Sequence, residues 1–312
     1  MTEPGDRLTI EEYERLYEEL KNWGRWGADD VLGTLNFITD DAVVAAASTI
    51  RTGRRVCLSL PVNTEAGPDN AVPAIHYMSI GHDNTIGKGE GRFATDFIGI
   101  DFHGESQSHL DALCHVSYKE KLYNGHSTRA VTTRGSSVLA VDDYRHGIVG
   151  RGVLIDIPRL RGVEWLEPGE WVTIEELQAA EESQGVRLRS GDILVFRTGQ
   201  HRRRLRLGSW DNNRVGRAGL HPTSLRLLAD RQVAAFAADG DGETIPSPVD
   251  GVDYPIHPLQ ISAMGMAAFD NLQFEDLVEI CEQERRWEFL FVAAPLRITG
   301  GTGSPLNPIA IF

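Results

Sequence analysis

Segment 101–115, DFHGESQSHLDALCH, places Asp101, His103, Glu105, His109, Asp111 and His115 within fifteen residues. If it leaves a strand at its start, His109 and Asp111, two apart, project to the same side of an extended backbone. Imidazole nitrogen and carboxylate oxygen together suit Zn²⁺, Mn²⁺ or Fe²⁺, and a set short of ligands leaves a position for water. A metal lowers the pKa of such a water toward ~7. His115, six residues beyond His109 and across a turn, is placed to act as a general acid/base. The plainer reading makes all six polar loop residues, and spacing alone divides evenly between the two.

A second supply of ligands lies between 239 and 270. His257 stands between Pro255 and Pro258, a rigid setting that can aim an imidazole. Asp270 ends the apolar run Met266–Phe269 and is either a functional carboxylate or the N-cap of the next helix. Each alone reads as structural. Other signals carry less. Gly87-Lys-Gly-Glu-Gly91 lacks both the dinucleotide and Walker spacings. Asp239-Gly-Asp-Gly-Glu243 is too short for a calcium loop and reads as an acidic turn closing a strand. The run His201–Arg206 (HRRRLR) reads as a solvated loop. Cys114 should face away from His115, because neighbours on an extended backbone point opposite ways. Trp23, Trp26 and Tyr123 are candidate substrate-binding residues, with core or interface packing the competing assignment for aromatics of this kind.

Several elements must position these groups. Thr9 with Glu12 forms a capping box ahead of Ile10, Tyr13, Leu16 and Leu20, which predicts a first helix. Asp40 or Asp41 should cap a second, running through the alanines to Gly53. Strands are expected at 55–62, 94–102, 147–157, 193–197, 233–238, 265–269 and 287–298. Helices are expected at 174–183, 222–230 and 274–284, with a long Gly/Pro/Asn-rich loop over 63–91. This alternation predicts one α/β domain over residues 1–312, a mixed sheet flanked by helices, with residues 1–50 as a helical segment packed on it.

Composition narrows the function. In 312 residues, 45 acidic against 31 basic side chains give a net charge of −14, which argues against a nucleic-acid partner. The strongest apolar run, Phe289–Leu296, is far short of the ~18 residues a membrane span needs. Three scattered cysteines and a charged N-terminus fit a reduced, cytoplasmic protein.

The cluster also resembles the signature of a metal-dependent, cyclase-like hydrolase family that includes bacterial kynurenine formamidase and isatin hydrolase. That motif runs H-x-G-T-H-x-D-x-P-x-H, and this chain reads ESQSHLDALCH from Glu105 to His115. The likeness extends to Asn22–Phe37 (NWGRWGADDVLGTLNF), Tyr123-Asn124-Gly125, Pro255-Ile256-His257, Asp270-Asn271-Leu272, Pro295-Leu296 and Gly300–Pro305. It implies a cyclase-like fold of the swivelling β/β/α type and a homo-oligomer, dimer or tetramer. It also implies a Zn or Mn cofactor and hydrolysis of a small cyclic amide or aryl formamide. His109, Asp111, His257 and Asp270 fall on metal-site positions, and His115 on the acid/base histidine. Two departures stand out: the first metal histidine falls on Glu105, and a later glutamate on Asp270. Either Glu105 ligates through oxygen, His103 supplies the missing nitrogen, or one of two metal subsites is absent. A lactone is the alternative substrate, and a catalytically weak ligand-binding protein the alternative function.

Overall fold

The computed structural model describes residues 7–83 and 90–312. Gly87–Gly89 of the glycine run, and the first six residues of the charged N-terminus, lie outside the described residues.

Helix α1, Ile10–Leu20, starts at its capping box: Glu12 N–H donates to Thr9 Oγ1 at 3.2 Å, and Thr9 N–H to the Glu12 carboxylate at 2.9 Å. Its buried face (Tyr13, Leu16, Tyr17, Leu20) docks through two hydroxyls. Tyr13 donates to Pro255 O at 2.9 Å and Tyr17 pairs with Ser262 at 2.8 Å, so the helix braces the turn that carries His257. Helix α2, Asp40–Ala47, departs from expectation at both ends. Thr39, in extended backbone, is the cap, accepting Ala42 N–H, while the aspartates occupy the first turn, where the helix dipole favours acids. The helix stops at Ala47, well before Gly53.

Nine strands form one mixed sheet. In chain order they are β1 (Arg55–Cys57), β4 (His109–Asp111), β5 (Ile148–Asp156), β6 (Ile193–Arg197), β7 (Ala235–Ala238), β8 (Ala267–Asp270), β9 (Glu288–Ala293), β10 (Gly303–Pro305) and β11 (Ile309–Ile311). The order across the sheet is β1-β11-β9-β5-β6-β7-β8-β4-β10. The central four, β5 to β8, are parallel, and the flanking pairs antiparallel. Helices α3 (Ile174–Gln184), α5 (Leu225–Asp230) and α6 (Glu275–Glu284) lie in the connections between successive parallel strands or after β8. A parallel centre covered on both faces needs apolar residues at every position. Accordingly Leu194 and Phe196 of β6 enter one core, and Ile193 and Val195 the other.

Four further expectations change. Strand 55–62 shrinks to β1, and strand 287–298 ends at Ala293, two residues before Pro295, which could not continue the ladder. The 63–91 loop contains a strand, β2 (Ile75–Ile80), that pairs antiparallel with β3 (Thr95–Gly99) in a separate hairpin. The apolar residues of β2 are exposed on both faces, so it lacks the one-sided alternation that reveals a strand, whereas β3 falls within the strand expected at 94–102. His201–Arg206 is helical, within α4 (Gln200–Leu207). Asp239 accepts hydrogen bonds from Thr198, Gly199 and Gln200 N–H at 2.7–3.0 Å where this helix begins. Arg202, Arg203 and Arg204 find Glu275, Glu167 and Asp69, contacts from distant segments that local composition does not announce.

Candidate metal centre

The sheet brings the ligands together through register. Asp111 and His109 share one face of β4, and Leu110 between them is buried in the core on the other. Asp270, the last residue of β8, lies directly opposite His109, and Gly303 of β10 opposite Asp111. The face of β4 is thus flanked by an acid on one side and an open position on the other. That position must be glycine, since a Cβ there would collide with Leu110 O and stand 2.9 Å from His103 Cε1.

Asp111 is the hub, 1% exposed, with four imidazoles around it. His103 Nδ1 stands 2.9 Å from Oδ1, and His109 Nε2 3.5 Å. His115 Nε2 and His257 Nε2 stand 3.7 and 3.8 Å from Oδ2. Asp270 Oδ2 adds contacts of 3.3 Å to His257 Nε2 and 3.8 Å to His109 Nε2. Burial opposes ionisation of Asp111, yet His103 and the other imidazoles outweigh it and hold the carboxyl well below its usual range.

Two groups in this set can each hold a cation, with ligand atoms within 4.8 Å of one another. One is His103, His109 and Asp111; the other is Asp111, His257 and Asp270. The outer shell aims these rings. His109 Nδ1 bonds Gln107 O at 2.9 Å, His257 Nδ1 bonds the fully buried Glu243 at 2.8 Å, and His103 Nε2 bonds Thr302 Oγ1 at 2.9 Å. A carbonyl or carboxylate partner makes the outer nitrogen the donor and leaves the inner one free to ligate. The donor atoms also fit a divalent ion by their want of partners. Both Asp111 oxygens, Asp270 Oδ1 and His103 Nδ1 are buried without a well-aligned hydrogen bond, four of eleven such side-chain atoms among the described residues. Unpartnered buried oxygens are costly unless a cation occupies the space between them.

His115 is set differently. Its ring stacks flat on His103, centroids 3.9 Å apart and planes 1° from parallel, and its side chain is 29% exposed. Burial lowers it to about 4, with His103, His257 and His109 adding to the effect and Asp111 opposing it. His257 is raised well above the ordinary imidazole range, because Asp270 and Glu243 together overcome its burial.

Of the open alternatives for the first ligand, the structure brings His103 to the cluster. Glu105 belongs to neither group: its Oε2 accepts from Arg217 Nη1 at 2.5 Å and Asn212 Nδ2 at 2.8 Å. Trp23, Trp26 and Tyr123 do not line the site cavity. Trp23 Nε1 donates to Ser262 O, Trp26 packs edge-on against Phe37, and Tyr123 is buried with its hydroxyl on Asp30. Cys114 faces the core, where burial pushes its thiol up to about 11. The site residues that spacing missed are Glu243, Thr302 and Arg217. Glu243 closes the acidic turn Asp239–Glu243 and Thr302 sits in the glycine-rich 300–305 segment; nothing local marks Arg217.

The cavity beside the cluster measures about 340 Å³ and is lined by both ligand groups, His115, Glu105, Arg217, Asp241 and Tyr254. The family model described as "Putative cyclase" matches residues 50–242. A solved structure described as a novel cyclase shares 32% identity and a TM-score of 0.85, covering 94% of this chain and 100% of its own. The chain therefore belongs to this cyclase family. Isatin hydrolase A from Ralstonia solanacearum has the same fold at 22% identity and TM-score 0.59, over 87% of this chain and 97% of its own. A predicted metal-dependent hydrolase from Bacillus stearothermophilus does so at 15% identity and TM-score 0.51, over 83% and 98%. No curated protein matches the sequence. Among the described residues no helix is long and apolar enough to cross a membrane.

Proposed function

We propose that this protein is a hydrolase dependent on a divalent metal, Zn²⁺ or Mn²⁺, that cleaves the C–N bond of a small cyclic amide or aryl formamide. The observation that carries the reading is Asp111, shared by two three-ligand groups, with His115 stacked beside them at the cavity. An ion held by these residues would polarise a carbonyl and acidify water. His103, His109, Asp111, His257 and Asp270 are the residues that would hold it. His115 faces the cavity with one nitrogen near Asp111 and, among the described residues, no hydrogen bond fixing the other. It takes the proton of the attacking water as the new C–O bond forms, then passes it to nitrogen as the C–N bond breaks. The same arrangement serves a lactone, with oxygen as the leaving atom. The free thiols Cys57, Cys114 and Cys281 fit a cytoplasmic setting.

The test is to strip the metal with chelator, restore it with Zn²⁺ or Mn²⁺, and assay aryl formamides, isatin and lactones. Activity should vanish, return with metal, and be lost in His109→Ala. Full activity in the stripped protein or in His109→Ala overturns the metal-dependent reading. Ligand binding with no turnover in the metal-loaded enzyme would leave a small-molecule binder instead.

A further inference from the structure

Glu105 stands at a position of the cavity wall whose chemistry differs from that of the metal cluster. Its partner Arg217 is one of the largest side chains in the molecule to be fully buried, 2% exposed. One guanidinium nitrogen, Nη1, lies 2.5 Å from Glu105 Oε2 and 2.8 Å from Asp241 Oδ2. Asn212 donates to the same Glu105 oxygen. Oε2 is therefore saturated, whereas Oε1 takes no hydrogen bond among the described residues, and the side chain stays 24% exposed while lining the cavity. The clamp fixes that free oxygen in place. The backbone is fixed too: Asn271, next to Asp270, donates from Nδ2 to Gly104 O at 2.8 Å.

Glu105 and Asp241 share the one guanidinium of Arg217, and the carboxylate oxygen that Glu105 turns to the cavity can only accept, so what it attracts is a hydrogen-bond donor. Above the pair lies Tyr254, 43% exposed, its ring 5.8 Å from the Arg217 guanidinium and its hydroxyl held by Asn213 Oδ1 at 2.8 Å. A half-exposed ring pinned at its far end offers a flat apolar wall for an aromatic ligand.

We propose that Glu105 is a substrate-binding acceptor, clamped by Arg217 under Tyr254, that selects an aromatic ligand carrying a free N–H. This rests on the hydrolase reading only in placing the N–H beside the bond to be cut. A hydrogen bond to a charged acceptor corresponds to about a tenfold to hundredfold preference for the donor-bearing ligand.

Two probes of nearly identical shape test this by titration calorimetry on the metal-loaded enzyme. 2-Indolinone has the N–H, whereas 2-indanone has a methylene in its place and no bond to hydrolyse. The wild type should bind 2-indolinone at least tenfold more tightly. In Glu105→Gln the amide oxygen must remain on Arg217 and the amide NH₂ turns to the cavity, so the ratio should fall to about one. Equal affinities in the wild type, failure to bind either probe, or an unchanged ratio in Glu105→Gln would each overturn the proposal. Because 2-indolinone is itself a cyclic amide, the titrations are repeated in the His115→Ala background, where it is bound without turnover, so an enzyme that hydrolyses amides without N–H preference loses only this inference. One that shows the preference without hydrolysis loses only the functional reading.

Discussion

Glu243→Gln tests how the outer shell prepares the metal centre. Glu243 has no exposed surface and accepts from Ile256 N–H, His257 N–H and His257 Nδ1 at 2.8–3.0 Å. A carboxylate can only accept, so His257 must donate from Nδ1, which leaves Nε2 as the nitrogen a metal would take in exchange for its proton. Glutamine has a single acceptor oxygen. If it stays on His257, where Oε1 also accepts Ile256 N–H at 3.0 Å, the amide NH₂ stands 2.9 Å from that N–H, donor against donor, and is itself buried unpaired at a cost of about 1–3 kcal/mol. If it turns, the NH₂ donates to Nδ1 and the proton moves to Nε2, where the ligand lone pair was. Both outcomes also remove the negative charge behind the ring. Loss of such a partner weakens metal binding roughly 10–100-fold, or about 1.4–2.7 kcal/mol. At free metal ~1,000 times the wild-type Kd, metal stabilises the wild type by about 4.1 kcal/mol and the variant by about 1.4–2.7 kcal/mol. Chelator competition gives the affinity, and melting with and without metal separates this coupling from damage to the metal-free fold. Wild-type metal affinity in Glu243→Gln would refute the tautomer argument and leave Glu243 a backbone cap.

His115→Ala should lower kcat by about 10²–10⁴ with metal content unchanged, because the ring lies outside both ligand groups; loss of metal measured by atomic absorption would make it a ligand. A chromogenic disulfide reagent at pH 8 should label one thiol quickly, the exposed Cys57, since Cys114 and Cys281 are buried and burial pushes Cys114 up to about 11. Cys57→Ala should abolish the fast phase, and rapid labelling of a second thiol would contradict the burial. Gly33→Ala should cost more than ~2 kcal/mol in urea unfolding: φ at Gly33 is +56°, and a Cβ there would overlap Gly265 O, the acceptor for Thr34 N–H at 2.9 Å. A midpoint unchanged from wild type would show that this approach can relax.

Local chemistry made much of this molecule legible. The capping boxes at Thr9 and Thr173, the buried strand 193–197 and the H-x-D pair at 109 and 111 follow from spacing and from what extended or helical backbone does with it. Strand β3 was expected within 94–102, but β2 and its pairing with β3 were not legible, because the apolar residues of β2 are exposed on both faces. Helix α4 was hidden for a related reason: its arginines are balanced by Asp69, Glu167 and Glu275, which are distant in sequence.

At the site the division is sharper. Residue type and spacing alone determine that His109 and Asp111 share a side and that Leu110 and Cys114 do not. The pairing of β4 between β8 and β10 decides the rest, setting Asp270 opposite His109 and clearing room for His103 over Gly303. It is the fold, too, that gives Glu105 to Arg217 and aims His257 from Glu243. A ligand set needs atoms within a few ångströms of one point, and residues 103, 111, 257 and 270 reach that point only through long-range pairing. Sequence periodicity carries the direction of a side chain along its own strand; the distance to the next strand is set only when the sheet closes.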